Sequence, residues 1–181
     1  MELLIKGARL VDQDIDLHGD VLIRDDKIAE LGDDISFDGA VIDARGMCLM
    51  PALVDMHAHF REPGYIWKED LLTGGLAALK GGYSFVNLMG NTSPVCSDME
   101  TVEYVLNKAD ELDLVQVHQC VSITRGIDGN DISHLDNLDE RVRMITDDGK
   151  GVSSSFVMYK AMEKAWENNL IIMSHAEDEL I

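Results

Sequence analysis

From residue 51 onward, short apolar segments alternate with stretches of helical periodicity. Strands that are separated by helices in this way pair in parallel, so the alternation predicts an α/β fold with a parallel, helix-covered sheet. Helices are predicted at residues 69–80, 99–112 and 155–168, and strands at 52–56, 83–88, 115–121, within 138–145 (where the pattern also allows a helix) and at 170–174. A closed (β/α)₈ barrel takes about 250 residues. The 181-residue chain is therefore expected to form either an open sheet or about the first five units of a barrel.

The first 50 residues have a different pattern, in which short apolar segments are separated by turn residues. Strands are predicted on both sides of Gly7 (3–5 and 8–11), at 20–24 and 27–31, and at 40–44. Asp25 and Asp26 separate two of these segments, which indicates a hairpin. We therefore expect a β-sandwich-like segment at residues 1–50, followed at residues 51–181 by the truncated barrel.

The chain is strongly acidic, with 34 acidic and 15 basic residues and a formal net charge of −19. Nucleic acids and anionic membranes bind basic surfaces, so neither is expected as a partner. No apolar stretch approaches the roughly 20 residues of a membrane-spanning helix, and the N-terminus lacks the pattern of a signal peptide. An odd, widely spaced set of cysteines favours free thiols and a cytoplasmic protein: Cys48, Cys96 and Cys120.

The strongest chemical signal lies in residues 55–64, DMHAHFREPG. Side chains alternate between the two faces of a strand, so His57 and His59 should point the same way at the C-terminal end of the first barrel strand. Parallel α/β barrels build their active sites at that end, and two imidazoles there supply half of a metal site. A bare His-x-His pair is more often two surface histidines near a turn, but the preceding Asp55 and the following Arg61-Glu62-Pro63-Gly64 favour the metal site.

The same string resembles the signature of dihydroorotases, which are members of the amidohydrolase superfamily. Further segments resemble this family in the same order along the chain: Trp67-Lys68-Glu69-Asp70, Gly81-Gly82-Tyr83-Ser84-Phe85-Val86, Met89-Gly90-Asn91-Thr92, Thr146-Asp147-Asp148-Gly149 and Ser174-His175-Ala176-Glu177-Asp178. The resemblance covers nearly the whole chain. It implies the N-terminal part of a metal-dependent (β/α)₈ TIM barrel of the bacterial, zinc-dependent type.

The resemblance also implies two zinc ions in the complete protein. His57 and His59 would bind the first ion, and His175, at the end of the fifth strand, would bind the second. In many relatives the bridging ligand after the fourth strand is a carbamylated lysine, and in one bacterial branch it is an aspartate. The Asp-Asp-Gly match assigns the bridge to Asp148 and leaves Lys150 as the weaker candidate. Imidazole and carboxylate ligands suit zinc, with other divalent metals as alternatives.

The substrate pair implied by the resemblance is dihydroorotate and carbamoyl aspartate, in pyrimidine biosynthesis. Both carry a carboxylate, which the planar guanidinium of Arg61 can hold through two hydrogen bonds. Substrate binding is therefore expected from His59, Arg61 and Asn91. No catalytic residue is assigned in this chain, because the family's proton-transferring aspartate and its fourth metal histidine are expected beyond Ile181. The chain by itself is accordingly expected to be inactive.

Two other functional classes stay open. Hydantoins and dihydropyrimidines lack the carboxylate that Arg61 would hold, and allantoinases carry Asn at that position, so Arg61 argues against these related activities. A non-catalytic dihydroorotase-like scaffold subunit would typically lose metal ligands, whereas the four candidates are all present. Besides the small-molecule substrate, the expected partner is a second copy of the chain or an aspartate transcarbamoylase.

Two positions depart from the family pattern. Gly90 replaces a proline and is expected to loosen the backbone before Asn91. Ser84-Phe85 replaces a Thr-Thr pair. Three further histidines have no partner motif and are interpreted as ordinary surface or core residues: His18, His118 and His134.

Overall fold

The computed structural model describes residues 2–177, so Asp178, the last residue of the predicted Ser174-to-Asp178 motif, lies outside the described residues. The chain divides into two compact units, with the boundary between Ala52 and Leu53. None of the helices within residues 2–177 combines the length and the apolar character needed to cross a bilayer.

The first unit is one five-stranded sheet. Its strands are β1 (Glu2–Val11), β2 (Asp16–Arg24), β3 (Lys27–Gly32), β4 (Ala40–Asp43) and β5 (Cys48–Leu49). Strand β1 pairs antiparallel with β2 and parallel with β4 and β5, while β2 pairs antiparallel with β3. The apolar residues that this sheet buries include Leu4, Ala8, Leu10, Val21 and Leu22.

Local geometry in this unit confirms one prediction and corrects another. The hairpin is confirmed, because Asp25 and Asp26 adopt φ of 48° and 62°, the left-handed conformation of a type I′ turn. The two strands predicted around Gly7 are one continuous strand, and the pairing register shifts between Ile5 and Ala8. Gly7 has φ of 73° at this bulge, and its N–H donates to the buried Asp20 carboxylate at 2.8 Å.

The second unit has a mixed α/β fold with parallel strands. Its elements are β6 (Leu53–Ala58), α1 (Leu71–Lys80), β7 (Tyr83–Leu88), α2 (Met99–Leu112), β8 (Gln116–Gln119), β9 (Met144–Ile145), α3 (Ser155–Glu167) and β10 (Ile171–Ile172). Strands β6, β7 and β8 pair in sequence order, and β9 pairs with β10. A parallel bridge between Val121 and Ile145 links the segment after β8 to β9.

Side-chain caps explain where the helices begin. The Asp70 carboxylate accepts the Thr73 N–H at 2.7 Å, so α1 begins at Leu71, two residues later than predicted. Asp98 caps α2 in the same way through the Thr101 N–H at 2.9 Å. Leu71 of α1 and Val105 of α2 lie in one buried apolar cluster with Val86 and Leu88 of β7.

The last two predicted strands differ most from the structure. Residues 138–145 contain no helix, and only Met144–Ile145 is a strand. Between β8 and β9 the chain forms two 3-10 turns, Arg125–Ile127 and Ser133–Asn137, instead of an α-helix. The prediction of a buried strand at 170–174 is wrong in extent and burial, because Ile171 is 56% exposed. Within residues 2–177 this strand pairs on one side only, with β9.

Candidate metal centre

The two histidines of the first motif lie side by side at the end of β6. His57 is on the strand and His59 follows it, and their Nε2 atoms are 3.3 Å apart. The Asp55 carboxylate accepts the His57 N–H at 2.9 Å. The alternation of side chains along a strand, on which the prediction rested, thus brings both imidazoles to one place.

Asp148 completes a three-residue cluster with these histidines. Its Oδ1 lies 3.6 Å from Nε2 of His57, and its Oδ2 lies 3.4 Å from Nε2 of His59. One ligand atom from each of the three residues falls within 4.8 Å of the others. Ligands that sit about 2.0–2.2 Å from a tetrahedral zinc ion are roughly 3.3–3.6 Å from one another. The donor set and its spacing therefore fit a divalent metal ion.

His175, near the C-terminal end of the described residues, contacts the same carboxylate. Its Nδ1 is 3.3 Å from Oδ1 of Asp148, and its Nε2 is 2.8 Å from the Glu177 carboxylate. The hydrogen bond with Glu177 raises the pKa of His175. Among the described residues His175 does not join the three-residue cluster, but it contacts the one member that could bridge two ions. Its role as a ligand stays a prediction.

Lys150, the weaker candidate for the bridge, lies in the turn that follows Asp148. Lys150 is exposed, and its backbone N–H donates to the Asp147 carbonyl at 3.2 Å. Within residues 2–177 no hydrogen bond or ion pair joins its side chain to either histidine of the cluster. The geometry therefore favours Asp148 over Lys150.

Asn91 links the cluster to Arg61. Its Nδ2 donates to Oδ2 of Asp148 at 3.0 Å, and its Oδ1 lies 3.1 Å from Nδ1 of His59. The same Oδ1 accepts from Nη1 of Arg61 at 3.4 Å. Because Oδ1 can only accept, the His59 proton belongs on Nδ1, which leaves the Nε2 lone pair facing Asp148. Burial, together with the positive charge of Arg61, lowers the pKa of His59 and favours the neutral imidazole that a metal requires.

The backbone before Asn91 is tightly held, so the expectation that Gly90 loosens it is wrong. Gly90 is buried, and its carbonyl accepts the N–H groups of Thr92 and Cys96, both at 2.9 Å. A Cβ at position 90 would lie 3.1 Å from the Cys120 carbonyl oxygen. A neighbouring chain segment therefore lies close to Gly90.

A buried polar pair between β7 and β8 was not singled out from the sequence. His118 Nδ1 lies 2.5 Å from Oδ1 of Asn87, and its Nε2 accepts the Arg143 N–H at 2.8 Å. Burial lowers the pKa of His118 to about 4. His118 is a core histidine, which is one of the two alternatives that the sequence left open. Its polar partners lie on β7 and just before β9, so they leave no local pattern in the sequence.

Residues 46–181 match the Dihydro-orotase-like family. The dihydroorotase of Clostridium botulinum (strain Eklund 17B / Type B) is 50% identical over 180 residues, which cover 98% of this chain and 45% of that protein. The dihydroorotase of Acetivibrio thermocellus is 38% identical over 180 residues, which cover 97% of this chain and 42% of that protein. The chain thus spans less than half the length of these curated relatives.

Solved structures give the same picture of the fold. The L-hydantoinase (dihydropyrimidinase) of Arthrobacter aurescens has a TM-score of 0.80 at 21% identity, covering 99% of this chain and 42% of that one. The dihydropyrimidinase of Brevibacillus agri has a TM-score of 0.79 at 22% identity, covering 98% and 40%. At these identities the likeness establishes the mixed α/β fold alone. With the match over residues 46–181 and the curated relatives, it follows that the chain belongs to the dihydro-orotase-like family of cyclic amidohydrolases.

Proposed function

We propose that the complete gene product is a dihydroorotase, which interconverts dihydroorotate and carbamoyl aspartate in pyrimidine biosynthesis. In the ring-opening direction, water adds across the cyclic amide C–N bond, so that the carbonyl carbon gains the hydroxyl and the ring nitrogen gains the proton. The observation that carries the proposal is the arrangement of Arg61 and Asn91 beside the cluster of His57, His59 and Asp148. The relatives named dihydroorotase support it.

The cluster would hold zinc, two ions in the complete protein. His57, His59 and Asp148 would bind the first ion, and Asp148 with His175 would bind the second. When bound, zinc supplies Lewis-acid chemistry that activates water and polarises the amide carbonyl. Asn91 orients two of these side chains, since it donates to Asp148 and accepts from His59. Such fixed orientation strengthens metal binding.

Arg61 would bind the substrate carboxylate. Its guanidinium contacts the side-chain amide of Asn91, which in turn contacts His59, so Arg61 and Asn91 could bind one molecule next to the cluster. A guanidinium can hold a carboxylate through two parallel hydrogen bonds, which fixes the orientation of the ring. This local positive charge would also let a chain of net charge −19 attract an anionic substrate.

The architecture belongs to the proposal as well. The parallel order β6-β7-β8, the bridge from Val121 to Ile145 and the β9-β10 pair support a (β/α)₈ barrel begun at residues 51–181. In the sequence it follows the proposed β-sandwich-like segment at residues 1–50. A second copy of the chain or an aspartate transcarbamoylase stays the predicted partner, and the cytoplasm the predicted location. Sedimentation of the complete gene product, alone and with the transcarbamoylase, would test the partner.

A substrate panel tests the proposed function. The purified complete gene product should contain about two zinc ions per chain and should turn over dihydroorotate, with hydantoin, dihydrouracil and allantoin as poor substrates. Preferred turnover of one of the last three would replace the proposal with a hydantoinase, dihydropyrimidinase or allantoinase activity. Absence of both metal and turnover, after zinc is added back, would favour the scaffold subunit.

A further inference from the structure

Glu62, the residue after Arg61, is a buried carboxylate that the proposed chemistry does not use. Its side chain is 2% exposed, and it contacts two helices at once. Oε2 accepts the N–H of Leu71, the first residue of α1, at 3.0 Å. Oε1 accepts from the Tyr104 hydroxyl at 2.7 Å and from the Lys108 ammonium, both on α2. Glu62 therefore joins the loop after β6 to the start of α1 and to the middle of α2.

The Glu62 carboxylate is ionised in this setting. Burial alone would raise its pKa, but the hydrogen bonds from Leu71 N–H, Lys108 and Tyr104 outweigh burial and hold the pKa below its ordinary value. A buried charge with partners on two helices is costly to move, since any displacement leaves the carboxylate or the ammonium unpaired. The anchor is therefore rigid.

This anchor lies next to a backbone conformation that needs support. Arg61 has φ of 60°, a left-handed conformation that is unfavourable for a residue with a long side chain. Such conformations persist only where the surrounding structure holds them. Further along the loop, the Pro63 carbonyl accepts the Ser93 N–H at 3.0 Å. The loop is thus held at Glu62 and again at Pro63, directly after Arg61, whose guanidinium contacts Asn91.

We propose that Glu62 is a positioning residue for substrate binding: by tying the loop to α1 and α2, it holds Arg61 where the guanidinium meets the substrate carboxylate. The inference rests on the proposed function and deepens it. Within residues 2–177, no hydrogen bond or ion pair joins Glu62 to a member of the metal cluster. Its effect must therefore pass through Arg61, and it should appear in binding rather than in the chemical step.

Kinetics of the complete gene product separate this role from a general structural one. A carboxylate clamp holds substrate and transition state alike, so its loss raises KM and leaves kcat nearly unchanged. Glu62→Ala should raise the KM for dihydroorotate on the order of 10-fold. Glu62→Gln, which keeps an oxygen for the Leu71 N–H, should raise KM less, with zinc content unchanged. An unchanged KM, or a lowered kcat at constant KM, overturns the proposal.

A matched control is available seven residues along the same loop. Glu69 is also a carboxylate at the start of α1, where it accepts the Asp70 N–H at 3.2 Å, but it does not adjoin Arg61. Glu69→Gln should therefore leave KM unchanged. A rise in KM equal to that of Glu62→Gln would show that any change at this helix start perturbs binding, and would overturn the specific role of Glu62.

A double variant tests whether the effect passes through Arg61. If it does, Arg61→Met with Glu62→Gln should have the same KM as Arg61→Met alone, because the guanidinium to be positioned is gone. If the rise in KM of the double variant equals the product of the rises in the two single variants, the proposal is overturned. If Glu62→Ala fails to fold, Lys108→Met and Tyr104→Phe remove the partners on α2 instead. A rise in KM in these variants supports the proposal, and an unchanged KM in both overturns it.

Failure of the proposed function would look different. A wild-type protein that does not turn over dihydroorotate would refute that function, and crystal structures would then decide the role of Glu62. In Glu62→Gln, departure of Arg61 from the left-handed conformation and of its guanidinium from Asn91 would support positioning. An Arg61 that is unchanged from wild type would overturn it.

Discussion

At the residue scale, Asp148 is the member of the cluster that the most partners contact. Its Oδ1 lies near His57 and His175, its Oδ2 lies near His59, and its side chain is only 11% exposed. A carboxylate has two oxygens and can serve two ions, whereas each imidazole offers one nitrogen to a metal. We therefore expect Asp148 to matter more for metal binding than any single histidine.

We predict that Asp148→Asn in the complete gene product weakens zinc binding by more than about 100-fold, because even residues behind the ligands commonly contribute 10- to 100-fold. Lys150→Met is the matched control, two residues away and outside the cluster, and it should keep its zinc. Elemental analysis after dialysis against a weak chelator measures both. Zinc lost from Lys150→Met and kept by Asp148→Asn would mean that a modified lysine is the bridge.

Arg61 gives a second prediction at this scale. Replacement by Met, which keeps the bulk and removes the charge, should raise the KM for dihydroorotate by upward of roughly 30-fold, since a lost charged pair costs about 2–5 kcal/mol. Zinc content should not change, because Arg61 is not among the cluster residues. Arg61→Lys is the control, and it should recover only part of the binding, since an ammonium cannot make the two parallel bonds. Unchanged turnover in Arg61→Met would refute the carboxylate clamp.

At the element scale, the parts that the sequence could predict are those with local causes. The β6 motif, the bounds of α2 and the Asp25-Asp26 turn each depend on residues within a short stretch, and the structure agrees with them. The Gly7 bulge depends on Asp20, thirteen residues away. The shortness of β9 and β10 depends on which strands lie beside them. Such tertiary causes have no local signature.

The site shows the same division. His57 lies on β6 and His59 directly after it, so their proximity follows from the local geometry of the strand end. The contact of Asp148 with them, and the choice between Asp148 and Lys150, depend on how β9 lies beside the strands before it. The sequence indicated this part of the site only through resemblance to a family.

The buried pair of His118 and Asn87 makes stability depend on pH. Burial lowers the pKa of His118 to about 4 in the folded chain, below its ordinary value of 6.5. Between these values the unfolded chain binds more protons, so the free energy of unfolding should fall as the pH falls, by up to about 1.4 kcal/mol per pH unit. Urea unfolding of the protein, after its metal has been removed with a chelator, measures how the free energy of unfolding changes with pH from roughly pH 4.5 to 7.

Variants isolate this contribution from that of the many carboxylates. His118→Gln cannot titrate, so its stability should fall less steeply over the same range, although the variant is less stable at neutral pH. His18→Gln, which removes an exposed imidazole, is the matched control for the substitution itself. Equal slopes in wild type and His118→Gln would show that His118 does not stay neutral in the folded chain.

At the scale of the whole chain, apolar surface is left uncovered on α3. Phe156 is 67% exposed and Trp166 is 89% exposed, and Tyr159 and Met162 lie between them at 57% each. Strand β10 follows this helix, with one unpaired edge among the described residues. Large apolar patches and open strand edges promote association.

We therefore predict that residues 1–181, expressed alone, self-associate and do not turn over dihydroorotate. Light scattering and a zinc-supplemented assay test both parts. Charged substitutions at Phe156 and Trp166 should reduce association, because they make the exposed face of α3 polar. They should not create activity, because they do not place a proton-transferring carboxylate beside the substrate. A monomer with a sharp thermal transition and measurable turnover would refute the prediction.

The position of Asp148 between distant histidines also has a consequence for biosynthesis. His57 and His59 leave the ribosome early, but Asp148 can contact them only after β7, β8 and β9 have been synthesised and have folded. Domains fold from the N-terminus during synthesis, and an imidazole pair without its carboxylate is an incomplete metal site. We therefore expect the nascent chain to bind its metal late in synthesis, when all the ligands are in place. The folded site can then select among divalent ions by its geometry.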